Sequence, residues 1–198
     1  MQRYNQAIEK FAPKATRKVN PGDVFCIKLR DLYYWGRVMR TDAVDTCMGR
    51  GICMVVYIYK HPTRTPTLPA NRDWSYSNLL LKPSLVGKGW WSSKYAYNVG
   101  INISITGEEA NRSHYYLGFG TDQFSTPYLV DDYGNEQPFQ SISRSQIVDK
   151  AGTPNLLHIA YRIDQIECKS EFFSDRDRND QAIGRELRVN ALEPYYKD

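Results

Sequence analysis

Gly22-Asp23-Val24-Phe25-Cys26-Ile27-Lys28-Leu29-Arg30-Asp31-Leu32-Tyr33-Tyr34-Trp35-Gly36-Arg37-Val38-Met39 is the stretch on which the fold turns. Two apolar runs, Val24 to Leu29 and Tyr33 to Met39, flank a three-residue connection at Arg30, Asp31 and Leu32. That is the pattern of a β-hairpin. Side chains alternate between the faces of a strand. Phe25, Ile27 and Leu29 therefore share one face of the first strand, with Cys26 and Lys28 on the other. On the second strand Tyr33, Trp35, Arg37 and Met39 share a face, while Tyr34 and Val38 flank Gly36 on the opposite one. A glycine inside a strand marks a bulge or the close approach of another backbone. A Gly-Asp entry, two short strands and a tight turn open a small barrel or a strongly curved sheet, and no catalytic group comes with them.

The chain on either side continues in the same manner. Ile52 to Tyr59 is an unbroken β-rich run, expected to be a strand buried on both faces. Leu79 to Leu81 reads as a short strand ended by Pro83, Tyr95 to Ile105 alternates, and Tyr115 to Phe119 is a further strand. Tyr128 to Val130 runs into the turn Asp131-Asp132-Tyr133-Gly134-Asn135. Leu157, Ile159, Tyr161 and Ile163 lie two apart, with His158 and Arg162 between them, which predicts a half-buried strand. Helices are expected toward the ends: one over Gln6 to Phe11, capped by Asn5, and a last one carrying Ile183, Leu187 and Ala191 after Asp180. Residues 61–73 hold three prolines and predict a long, stiff surface loop. The expectation is a mainly β (α+β) protein: a single twisted, partly closed antiparallel sheet or small barrel with a few peripheral helices. Residues 1–20 form a helix and basic arm, 21–170 the β-rich core domain, and 171–198 a charged loop and a helix packed on the core.

Composition narrows the class. A chain of 198 residues, 41% hydrophobic and 24% charged, is globular and long enough to bury a core without staples. Tyrosine is in surplus at 15 residues, which suits strands and half-exposed binding surfaces alike. A net charge of +4 is too small for a strongly basic nucleic-acid binder and of the wrong sign for an acidic nucleic-acid mimic. Cys26, Cys47, Cys53 and Cys168 show no Cys-x-x-Cys spacing, so a zinc knuckle is not expected, and Cys26 and Cys53 read as small buried hydrophobes. The first residues have no apolar stretch of signal-peptide length and no run nears 18 apolar residues, so no membrane association and a cytoplasmic location are expected.

The residues Gly22-Asp23-Val24-Phe25, then Ile27 and Leu29, then Tyr34 and Gly36-Arg37-Val38 resemble the opening of the immunity protein 26 family. The likeness is strongest from Pro21 to Met39, weaker around Trp90, and returns at Val130-Asp131-Asp132-Tyr133-Gly134-Asn135. The chain departs from the pattern at Leu32, where a small turn residue is expected, and at Trp35, where a smaller aromatic is. The resemblance implies a bacterial protein encoded beside a polymorphic toxin, which it neutralises by binding, with no enzyme activity and no cofactor.

Chemistry-bearing motifs are scarce. There is no Gly-x-Ser-x-Gly elbow, no Walker motif and no His-Glu-x-x-His, and Gly118-Phe119-Gly120 lacks the third glycine of a dinucleotide loop. His61, His114 and His158 lie far apart. Asp131 and Asp132, as neighbours on a strand, face opposite ways and do not act on one group; the pair reads as a solvated turn. Lys82, Lys88 and Lys94 interleave with Trp90, Trp91, Tyr95 and Tyr97. That mixture fits core packing, a protein interface or a stacking platform for nucleic acid. The candidate partner-binding residues are Tyr34, Trp35, Arg64 and Trp91, with a cognate toxin as partner. The alternative is a nucleic-acid-binding module or ribonuclease on a small β-barrel, drawing on the basic arm Lys10, Lys14, Arg17 and Lys18.

Overall fold

A computed structural model describes residues 18–45, 51–92, 96–118, 128–137, 147–150 and positions 159, 162, 163 and 166. The terminal helices expected at Gln6 to Phe11 and after Asp180, the charge run between them, and most of the basic arm lie outside the described residues.

The strands are β1 (Asp23–Leu29), β2 (Leu32–Asp45), β3 (Gly51–Tyr59), β4 (Leu79–Gly87), β5 (Ala96–Asn102), β6 (Tyr115–Gly118), β7 (Tyr128–Asp131), β8 (Glu136–Gln137) and β9 (Ile147–Lys150). Two short helices interrupt them, α1 (Gly89–Ser92) and α2 (Glu108–Asn111). The protein is mainly β, as expected. Its strands form two open sheets among the described residues: a five-stranded antiparallel sheet in the order β4-β3-β2-β1-β5, and a four-stranded one in the order β8-β7-β6-β9. The second sheet contains a parallel pair, β6 with β9. Neither closes into a barrel.

The opening hairpin forms with the face assignment expected from alternation, but its turn is tighter. Leu29 pairs with Leu32, leaving Arg30 and Asp31 as a two-residue connection. Arg30 supplies the positive φ, 56°, that such a turn demands. The Gly-Asp entry has a direct cause. Gly22 sits at φ +87°, and an added Cβ there would lie 2.6 Å from the Ile103 carbonyl. The Asp23 carboxylate then accepts from the side-chain amides of Asn98 and Asn102, both at 2.9 Å, and so ties β1 to β5.

The five-stranded sheet is buried on both faces. Phe25, Ile27, Tyr34, Val38, Met54, Val56 and Ile58 point to one face. It is closed by Trp90 and Trp91 of α1 together with Ile159 and Ile163. Phe25 meets both tryptophans edge-on at 5.5 and 5.3 Å, and the Trp91 indole N–H donates to the Met54 sulfur at 2.9 Å. Val24, Cys26, Trp35, Val55, Tyr57 and Tyr59 point to the other face. There they are covered by Leu68, Trp74 and Tyr76 of the 60–78 connection, and by Ile103, Ile105 and Tyr116.

Two expected elements differ. Positions 159, 162, 163 and 166 are helical, where alternation had predicted a strand. Ile159 and Ile163 are four apart as well as on a period of two, and one turn of helix places both on the buried side. The fourth strand runs through Pro83 instead of stopping before it. It is the edge strand, and the pairing slips between Val56–Ser84 and Ile58–Leu81, so the proline falls in the bulge and takes no ladder bond.

Candidate functional site: an aromatic and arginine face

The second strand spans 14 residues and the first 7. β1 pairs only with the Leu32 to Arg37 half of β2, so the far half overhangs it. On that overhanging edge the Val44 N–H donates to the carbonyl of Asp132 at 3.0 Å. The turn after β7 is thereby seated on the first sheet.

A row of side chains lies beneath this seat. Alternation along β3 sends Tyr57 and Tyr59 to the same face, and the segment entering β6 brings His114 and Tyr116 against them. The Tyr57 hydroxyl lies 2.7 Å from His114 Nε2, and His114 Nδ1 lies 2.9 Å from Asp132 Oδ2. The Tyr116 hydroxyl donates to Asp132 Oδ1 at 3.0 Å, and Arg40 approaches the same carboxylate at 3.6 Å. A carboxylate oxygen accepts, so His114 donates to Asp132 from Nδ1, while its Nε2 is held by the Tyr57 hydroxyl. Burial pushes the Tyr57 phenol well above its ordinary range, which keeps that hydroxyl protonated.

The set resembles a catalytic triad in composition and not in access. His114 is 3% exposed and Asp132 1%, and both ring nitrogens are engaged. No ring atom is left for a substrate. What the arrangement does is hold β3, the entry to β6 and the 131–135 turn together. Beside it Arg37, also buried, directs one terminal nitrogen to both Glu109 carboxylate oxygens at 2.6 and 2.5 Å. Among the described residues no group of His, Cys, Asp or Glu is placed to hold a metal ion.

At the surface the same face carries arginines stacked on aromatic rings. Arg72 lies 5.5 Å from the centre of the Trp74 ring and Arg112 4.0 Å from that of Tyr76. Arg40 lies 4.3 Å from that of Tyr133 and also donates to the Tyr133 hydroxyl. Behind them Trp74 meets Tyr59, and Tyr76 meets Tyr57, edge to face. Arginine, tyrosine and tryptophan are the residue types that anchor protein interfaces.

The candidate partner residues divide. Arg64 is exposed on the proline-rich connection. Tyr34, Trp35 and Trp91 are core residues whose rings fill the interior. Trp35 fixes the connection instead, donating from its indole to the Thr63 hydroxyl at 2.9 Å. Of the three roles open to the Lys82 to Tyr97 stretch, core packing holds for Trp90 and Trp91, which are buried while Lys82 and Lys88 are exposed. Lys94 and Tyr95 lie outside the described residues. Asp131 and Asp132 do face opposite ways, but Asp132 is enclosed where a solvated turn was expected. Sequence reasoning missed His114 and Tyr116 as partners of Asp132, and Tyr57 as the partner of His114. The one signal was His114 and Tyr116 standing two apart at the entry to a strand, and nothing in spacing links them to positions 57 or 132.

A family model described as immunity protein 26 matches residues 20–121, just over half of the chain. No curated protein and no solved structure matches it.

Proposed function

The chain belongs to the immunity protein 26 family, and from that premise we propose that it neutralises a cognate bacterial toxin by direct, non-covalent binding in the cytoplasm. The family match over residues 20–121 is the observation that carries this reading. The interior supports it, since the buried Tyr57, His114 and Asp132 set spends its polar groups on holding the scaffold rather than on a substrate. A rigid framework with stacked Arg and aromatic side chains on its surface suits inhibition by occlusion. The inhibitor covers the toxin's working surface, and no covalent bond is made or broken. A stable complex of this kind buries about 1,600 Å² in total, and a few aromatic or arginine anchors dominate its affinity. The body that acts is residues 21–170, with 1–20 and 171–198 as appendages.

Co-expression with the toxin encoded by the adjacent gene tests the reading. Cells are expected to survive, and the two proteins to purify as one complex. Undiminished killing in cells that hold soluble, folded protein would falsify it.

A further inference from the structure

Resting on the immunity reading, we propose that Tyr133, held by Arg40 on the turn after β7, is the anchor with which this chain grips a basic surface of its toxin. Tyr133 is 49% exposed, far more than the interior tyrosines, and the chain around it is built to keep it there. The Asp131 carboxylate accepts from the backbone N–H groups of Tyr133 and Asn135 at 2.8 and 2.9 Å, and from the Asn135 amide at 3.0 Å. Gly134, at φ 81°, closes the turn, and its N–H donates to the Asp131 carbonyl at 3.1 Å. Below, Asp132 is bound through its carbonyl to Val44 and through its carboxylate to His114 and Tyr116. Arg40 spans the two levels, meeting Asp132 inside and Tyr133 outside. A ring fixed before binding loses little conformational freedom on contact, which is how an exposed aromatic becomes an energetic hot spot.

The surroundings set the chemistry of the partner. Asp42, 69% exposed, pairs with the Arg40 that holds the ring, and the Asp131 carboxylate accepts from the Tyr133 backbone, so that with Asp132 three carboxylates stand against the one charge of Arg40. One exposed ring set in a local excess of carboxylates is complementary to a basic face with a slot for that ring. The seat, with Arg40, Val44, His114 and Tyr116, lies inside the segment matched by the family model, and Tyr133 lies beyond it.

The probe is the adjacent-gene toxin, made as an inactivated protein and titrated against the full chain. Tyr133→Ala removes the ring and leaves the Asp131 and Asp132 contacts in place. Its Kd is expected to weaken about thirty-fold or more, the scale of a hot-spot truncation, with the melting temperature unchanged. Asp42→Lys is expected to slow association about tenfold and flatten its dependence on salt. Arg64→Ala serves as a remote control and is expected to bind like the wild type. Equal affinity of Tyr133→Ala and wild type overturns the inference and leaves the immunity reading standing. No binding by the wild type overturns both. A wild type that sediments as a dimer, with Tyr133→Ala a monomer, also overturns the inference, because the face then belongs to a second copy of the chain.

Discussion

At the scale of single residues, the clearest constraint is at Gly36. A Cβ built there would meet the Phe25 ring at 2.2 and 2.6 Å and the Tyr57 carbonyl at 2.6 Å. Phe25 cannot retreat, because Trp90 and Trp91 stand edge-on behind it. Gly36→Ala is therefore expected to cost about 2–3 kcal/mol or more, in the upper part of the range for overpacked cores. Urea unfolding measures it, and a loss below about 0.5 kcal/mol, the range of harmless surface changes, contradicts this packing. The sequence marked Gly36 as a point of close approach. It did not show what approaches. Which residue opposes Gly36 depends on the length of the turn: a three-residue connection sets Phe25 against Arg37, whereas the observed pairing of Leu29 with Leu32 sets it against Gly36. One residue at the turn moves every cross-strand partner by one.

At the scale of elements, the legible parts were those with a single period. β1 and β2 sort their side chains on a period of two, and β3 reads as an unbroken β-rich run buried on both faces, so their burial follows directly. The segment around Ile159 and Ile163 was not legible, because a spacing of four satisfies a strand and a helix equally. The turn at residues 131–135 was legible as a turn, from Gly134 and Asn135. Its docking was not, since Val44, Tyr57, His114 and Asp132 converge only through the fold. That convergence has a measurable weight. Asp132→Ala leaves His114 Nδ1, the Tyr116 hydroxyl and Arg40 without their shared acceptor. Removing one partner from a buried polar network costs about 3 kcal/mol. The expected result is a lower urea midpoint, together with faster proteolysis between β7 and β8. An unchanged midpoint contradicts the role assigned to Asp132.

At the scale of the whole molecule, burial on both faces of the larger sheet sets an alkaline limit. Desolvation pushes the thiols of Cys26 and Cys53 up to about 12, and in Cys53 the nearby Asp45 and Asp132 carboxylates add to it. Burial also raises the phenols of Tyr57, Tyr59 and Tyr76. In the unfolded chain these groups ionise first, thiols near 8.5 and phenols near 10. The unfolded state then binds fewer protons than the folded one, and stability falls as pH rises. Their contribution is complete below about pH 8 and declines between about pH 9 and 12, with each thiol withdrawing ~1.4 kcal/mol per pH unit in that window. Unfolding midpoints at pH 7, 9 and 10 are expected to drop across the last two. The double variant Cys26→Ala, Cys53→Ala is expected to show a shallower decline, and identical slopes contradict it. The overhang of β2 beyond β1 has one further outcome. The amide proton of Val44 is held by a carbonyl two bonds removed from the Tyr133 backbone, so it times every excursion of that turn away from its seat. Deuterium uptake at this single position becomes an internal clock for the grip: slow once a partner has clasped the ring, quick when it lets go.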